Sequence, residues 1–203
     1  MKPEASYRPL LRDYIREQAV PIDKYSHQAR LYELAVALAD GINFDDDVLF
    51  AAAWLHDLGV FVNHRPSDPV KLASWDNVAY AVGKAPGILK GLRFPEAKIP
   101  AVCEVISTHL PSGNPASTEA KLLRDADILE QLGAVGILRT VSKVGRDTRF
   151  QRFEDALRVL QKNLETLPGM LLLETSRQQA LPRIRALKSF LESARNDALE
   201  IEW

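Results

Sequence analysis

A chain of 203 residues with 46% hydrophobic content can bury one sizeable core, so a single domain over residues 1–203 is the expectation. Its 26 basic and 27 acidic residues are interspersed and leave a net charge of −1, which gives no electrostatic footprint of a nucleic-acid polymer or a membrane surface as partner. One cysteine, Cys103, excludes an intrachain disulfide; the opening MKPEASYRPL has no apolar signal core and no apolar run approaches about 18 residues, so a cytoplasmic location is expected.

No stretch of useful length alternates at the strand period, and the expected fold class is all-α. From Tyr7 to Gln18, the apolar positions Leu10, Leu11, Tyr14 and Ile15 predict a short packing helix closed by Val20-Pro21. The next segment, Asp23 to Ala39, is helical by period and ends at Gly41. On it His27 shares a stripe with Leu31, Leu34 and Leu38 and therefore points inward, while Arg30, one turn on, is a candidate contact for an anionic substrate. Asp45, Asp46 and Asp47 open the following helix, where a cap and the helix dipole explain them without any chemistry.

The apolar run from Val48 to Leu55 predicts a helix buried on all sides, ending in His56-Asp57 just before Gly59. There the charge of Asp57 would sit in low dielectric at the negative end of a helix dipole, which disfavours it unless a cation lies opposite. A divalent metal is one such cation, and a neutral nitrogen beside a hard oxygen suits Zn, Mn, Fe or Co better than Ca or Mg. A histidine bonded to a carbonyl and an aspartate capping a neighbouring helix is the alternative for the dipeptide alone. Beyond Gly59 a polar, proline-broken loop runs to Pro69; such loops commonly form the mouth of a site, which makes His64 and Arg65 candidate substrate contacts.

A helix is expected from about Val70 to Val82, then a turn-laden connection from Gly83 to Pro95 that lacks the spacing of a phosphate loop. From Glu96 to Leu110 the stripe Ile99, Val102, Ile106 continues onto His109, a third inward imidazole, before the break Pro111-Ser112-Gly113. One long helix is expected from Lys121 to about Val144, with Asp125 and Asp127 set among Leu122, Leu123, Ala126, Ile128 and Leu129, where a carboxylate needs a partner. Two residues apart, the pair points in nearly opposite directions, and periodicity alone mildly favours Asp125 as the inward member. Gly133 and Gly136 suggest close packing of another helix, and Arg139, Lys143 and Arg146 form a basic stripe in which Lys143 is a candidate phosphate contact. Two further amphipathic helices, about Arg152 to Leu167 and about Glu174 to Leu199 with a bend at Pro182, are expected to cover the core.

The ordered set His27, His56-Asp57, His109 and Asp127, the last within Leu123-Arg124-Asp125-Ala126-Asp127-Ile128-Leu129, resembles the HD-domain superfamily of metal-dependent phosphohydrolases over roughly residues 20 to 145. The resemblance implies a multi-helix HD-like bundle with its core at about 20–145 and a C-terminal helical cover at about 150–199. It implies one divalent transition metal (Mn, Zn, Fe, Co or Ni) held by His27, His56, Asp57 and Asp127, with His109 beside it and Asp125 supporting the ligands from behind. The activity it implies is hydrolysis of a phosphoester of a nucleotide or another small molecule by a metal-activated water, with Asp57 orienting the water and His109 handling a proton or the developing anion. A small-molecule substrate is the implied partner, and a homo-oligomer is compatible with it. Two departures stand out: Leu58-Gly59-Val60-Phe61 holds no carboxylate where nucleotidase members often carry a glutamate, and Ile128 stands where arginine often follows. They keep two alternatives open, a hydratase or hydrolase of a small non-phosphate molecule and a non-catalytic, metal-containing ligand sensor. A diiron oxygenase would need more ligands than the sequence offers.

Overall fold

The computed structural model describes residues 6–197, and among them the regular structure is ten α-helices with no strand. None of these helices is long and apolar enough to cross a membrane. The chain divides into two compact units, Met1–Arg124 and Asp125–Trp203.

At the centre of the first unit is α3 (Asp46–Leu55), whose residues Val48 to Leu55 are all buried, as its unbroken apolar run requires. It packs against α1 (Tyr7–Gln18), α2 (Asp23–Leu38) and α6 (Ile99–Thr108). Helix α1 buries Tyr7, Leu11 and Ile15 at a spacing of four, whereas Leu10 is largely exposed. Its Tyr7 and Arg8 reach the acidic run that starts α3. Asp45 caps the helix by accepting from the N–H groups of Asp47 and Val48, and Lys98 bridges Asp45 at 2.8 Å and Asp47 at 2.9 Å. Arg8 pairs with Asp46 at 2.6 Å, and Tyr7 Oη donates to Asp47. Burial raises the Asp47 pKa, but hydrogen bonds from Lys98, Tyr7 and Arg8 overcome it and hold the carboxyl at about 2. The three aspartates thus fasten the start of the central helix, and Arg8 and Lys98 offset most of their negative charge.

Two expected boundaries shift. Instead of one helix over 70–82 and a connection over 83–95, the chain forms α4 (Pro69–Ala73), capped by Asp68, and then α5 (Asn77–Gly91), capped by Asp76. The glycines and proline of this stretch do not break α5, because Ala81, Ala85 and Leu89 recur every fourth residue and give it a buried face, while Gly83 and Gly87 lie on the exposed one. Pro86 cannot bond the Val82 carbonyl, and the Cys103 thiol of α6 approaches that oxygen at 3.9 Å.

Helix α7 (Thr118–Leu132) begins in the first unit and ends in the second. The long helix expected to run on to Val144 stops at Gly133, whose backbone is extended, and α8 (Ala134–Val141) follows. Gly136 is small for a different reason from the one expected: a Cβ there would lie 2.4 Å from the Gln131 carbonyl of its own chain turn. In the second unit α8 packs on α9 (Phe153–Thr166) and α10 (Glu174–Asp197), and α9 packs on α10. Ala198 and Leu199, expected to end the last helix, lie outside the described residues.

Candidate metal centre

Three elements of the first unit deliver imidazoles to one place. His27 comes from the second turn of α2, His56 is the residue that closes α3, and His109 closes α6; their exposures are 1%, 1% and 2%. The rings of His27 and His56 have centroids 5.4 Å apart, and those of His56 and His109 are 4.9 Å apart, both edge to face. Asp57 follows His56 out of the helix without making a capping bond to the 3₁₀ turn Leu58–Val60. Its Oδ2 stands 3.6 Å from His27 Nε2 and its Oδ1 3.7 Å from His56 Nε2.

Position in the helix also sets which nitrogen is available. The last carbonyls of a helix lack intrahelical partners. His56 Nδ1 lies 2.9 Å from the Ala53 carbonyl and His109 Nδ1 lies 2.7 Å from the Ile106 carbonyl, each three residues back. A carbonyl can only accept, so Nδ1 carries the hydrogen in both rings and the lone pair of the neutral imidazole is at Nε2. This backbone contact is the usual device by which a metal-binding histidine is oriented. The carbonyl-bonded histidine raised as an alternative for the dipeptide is therefore present, and it leaves Nε2 facing Asp57.

Burial alone would raise the pKa of Asp57; its electrostatic interactions with His56, His27, Lys24 and His109 outweigh it and hold the carboxyl well below the usual range. Among the described residues, His27, His56 and Asp57 form a group whose ligand atoms all lie within 4.8 Å of one another. Bonds of about 2.0–2.2 Å place two ligands of one ion about 3.0–3.5 Å apart, so the ligand atoms would draw together by up to about 1.3 Å to seat a cation among them. Two imidazole nitrogens and a carboxylate oxygen fit a divalent transition metal in both spacing and donor chemistry.

The remaining expected residues make the following contacts. Asp127 is in the second unit, where its Oδ2 accepts from Gln131 Nε2 at 3.0 Å. Asp125, fully buried, accepts from the N–H groups of Leu172 and Leu173. Arg30 donates to Ser26 Oγ at 2.9 Å, and Lys143 Nζ sits 5.2 Å from the Phe150 ring centroid. His64 has both ring nitrogens engaged, Nδ1 with Tyr80 Oη at 2.9 Å and Nε2 with Gln18 Oε1 at 2.8 Å, so it joins α1 to α5. The backbone N–H of Arg65 donates to the Phe61 carbonyl at 3.1 Å.

Two residues near the histidines were not singled out by the sequence. Arg124, only 5% exposed, donates to the carbonyls of Leu110 and Pro111 and so pins the turn that leaves His109. Its sequence signal was an arginine inside an otherwise apolar helical face. Lys24, whose charge acts on Asp57, lies three residues before His27, the spacing that places two residues side by side on a helix.

Residues 25–132 match the family model described as HD domain. The fold is similar to that of an HD-superfamily hydrolase from Bacillus thuringiensis, with 22% identity and a TM-score of 0.68 over 96% of this chain and 95% of that one. It is similar also to YpgQ of Bacillus subtilis, solved in complex with ADP, with 23% identity and a TM-score of 0.71 over 96% and 100% of the two chains. A predicted HD-superfamily hydrolase from an uncultured Thermotogales bacterium shares 23% identity, with a TM-score of 0.62 over 93% and 91%. No curated protein matches the chain.

Proposed function

The chain belongs to the HD-domain family, and on that footing we propose that it is a metal-dependent phosphohydrolase acting on a phosphoester of a nucleotide or another small molecule. The observation that carries this reading is the convergence of His27 Nε2, His56 Nε2 and the Asp57 carboxylate within 4.8 Å. A single divalent transition metal, when bound, would supply Lewis acidity toward a phosphoryl oxygen and a nucleophile at neutral pH. Asp57 would help to hold the ion and would orient a water by accepting its hydrogen. His109, its Nδ1 hydrogen committed to the Ile106 carbonyl, takes a proton at Nε2 and can return it to the leaving group. Asp127 enters as the further ligand on the strength of the family's residue order alone, and the metal content of Asp127→Ala tests it.

ADP bound to a protein of this fold supports a phosphate-bearing substrate. One feature favours the second reading, hydration or hydrolysis of a small non-phosphate molecule: Leu58, Gly59 and Phe61 are buried, so the stretch after Asp57 contributes apolar packing and no carboxylate.

The test is elemental analysis of the purified protein, followed by assay with Mn, Co, Ni or Zn against a panel of phosphoesters. His56→Ala and Asp57→Ala should each lower metal content and reduce turnover by more than about a hundredfold, since loss of a residue behind a ligand already costs about 10- to 100-fold. Turnover that survives both substitutions would remove this site from the reaction.

A further inference from the structure

The two histidines that close helices are followed by chain of different character. After His56 the chain is packed: Gly59 lies against Asn77, and its carbonyl accepts from Trp75 Nε1 at 2.8 Å. After His109 it runs outward, with Leu110, Ser112 and Asn114 exposed, and there is little side-chain packing to hold it. Beneath this turn stands Arg124 of α7, only 5% exposed. Its Nε donates to the Leu110 carbonyl at 3.3 Å and its Nη2 to the Pro111 carbonyl at 2.6 Å. The Leu110 carbonyl also accepts from the Gly113 N–H at 2.8 Å. A guanidinium is a planar fork, and two successive carbonyls held by one fork have both peptide planes fixed, which a single-point donor cannot do.

His109 depends on that turn. It keeps helical backbone (φ −69°, ψ −22°) one residue past α6, and from there its Nδ1 lies 2.7 Å from the Ile106 carbonyl. Helix ends fray unless they are tied down. A closing residue that leaves the helical conformation loses the bond to Ile106, and with it the preference for the lone pair at Nε2. We infer that Arg124 is a positioning residue for His109: by tying Leu110 and Pro111 it keeps the Nδ1–H on the Ile106 carbonyl and the ring against His56. The hold rests on this geometry; its effect on turnover rests on the phosphohydrolase reading, in which His109 Nε2 carries the proton.

The chain holds four histidines, so each imidazole can be followed by nitrogen NMR of the isotopically labelled full chain, with and without zinc. The His109 signal is the one lost in His109→Gln. Wild type should show His109 in one tautomer, with the hydrogen on Nδ1. In Arg124→Met that hydrogen should exchange with water at least about tenfold faster, while metal content stays at the wild-type level. Arg124→Lys, which can reach one carbonyl, should exchange at an intermediate rate, and it carries the comparison should the methionine variant not fold. Leu187→Ala empties a core position of α10, controls for lost stability, and should leave the His109 signal unchanged. On a phosphoester that wild type hydrolyses, Arg124→Met should lower kcat by about 10- to 100-fold, the cost of losing a partner that orients a functional histidine, with KM within about twofold. An unaltered His109 signal in either Arg124 variant, an equal change in Leu187→Ala, or a wild type with the hydrogen on Nε2 would overturn the inference. An altered signal in a protein that turns over no phosphoester would support the hold and remove the hydrolase reading. An altered signal with unchanged turnover would support the hold and remove His109 from the reaction.

Discussion

Replacing Asp125 should unfasten the second unit while leaving the metal in place. Its carboxylate is fully buried, and its oxygens accept from Leu172 N–H at 3.0 and 3.1 Å and from Leu173 N–H at 2.8 Å, the two amides immediately ahead of α10. A residue of α7 thereby caps a helix that begins 49 positions later at Glu174, where negative charge is also favoured by the helix dipole. Hydrogen bonds to a charged group contribute about 1.5–3 kcal/mol each, and Leu172 is exposed enough for water to replace part of that. Asp125→Ala should therefore cost about 2–4 kcal/mol, and Asp125→Asn, which keeps one accepting oxygen and loses the charge, about half as much. With a urea slope of about 1–3 kcal/mol/M, the alanine variant should unfold about 0.7 M or more earlier at unchanged slope. Metal content, measured in parallel, should stay at the wild-type level. Stability within about 0.5 kcal/mol of wild type, or metal lost as completely as in Asp57→Ala, would show that Asp125 serves the ion and that the cap is incidental.

Two more outcomes are expected. His64 donates from Nε2 to Gln18 Oε1 and accepts at Nδ1 from Tyr80 Oη when neutral, and burial, with the nearby charge of Lys84, lowers its pKa below the ordinary 6.5. Because the folded value is depressed, this contribution is full above about pH 6.5 and declines as pH falls through the folded pKa, so the stability gap of about 1–2 kcal/mol between wild type and His64→Ala should narrow from pH 8 to pH 5 in urea titrations. A gap that widens toward pH 5 would mean that the charged ring is the one the fold prefers. Gly59→Ala should destabilise by about 1–3 kcal/mol, since its Cβ would lie 2.4 Å from the Asn77 carbonyl oxygen and 2.7 Å from Asn77 Cα, backbone atoms that cannot rotate away. Thermal unfolding indistinguishable from wild type would show that α5 slides freely over the Leu58–Val60 turn.

The central helix and its histidines were legible because each rests on local pattern. An apolar run without polar interruption fixes α3 as buried, so whatever closes it must be buried as well, which is how His56 acquires its place. His109 was readable from Ile99, Val102 and Ile106 by the same continuation of a stripe. The expectation failed where composition was weighed above spacing: Gly83, Pro86 and Gly87 suggested a connection, and the faces on which they lie made them harmless to α5. It failed in the opposite sense at Gly133, where apolar periodicity continues across a residue whose backbone is extended. A helical wheel could not show that Asp125 accepts from amides nearly fifty residues away.

The two halves of the His56-Asp57 pair answer different needs, and their order in the chain follows from that. The histidine can finish a buried helix because its Nδ1–H satisfies the carbonyl of Ala53, a group that would otherwise be left without a partner at the helix end. The aspartate, one residue further, is past the last turn and free to turn its carboxylate toward His27 and back toward His56. Reversing them would put the carboxylate among carbonyl oxygens and the imidazole beyond their reach. The same three side chains can be satisfied by protons, as imidazolium against carboxylate, or by a cation that takes both lone pairs and the negative charge, but not by both at once. Ion and protons therefore compete for one set of atoms, and the buried charge of Asp57 is compensated in either state.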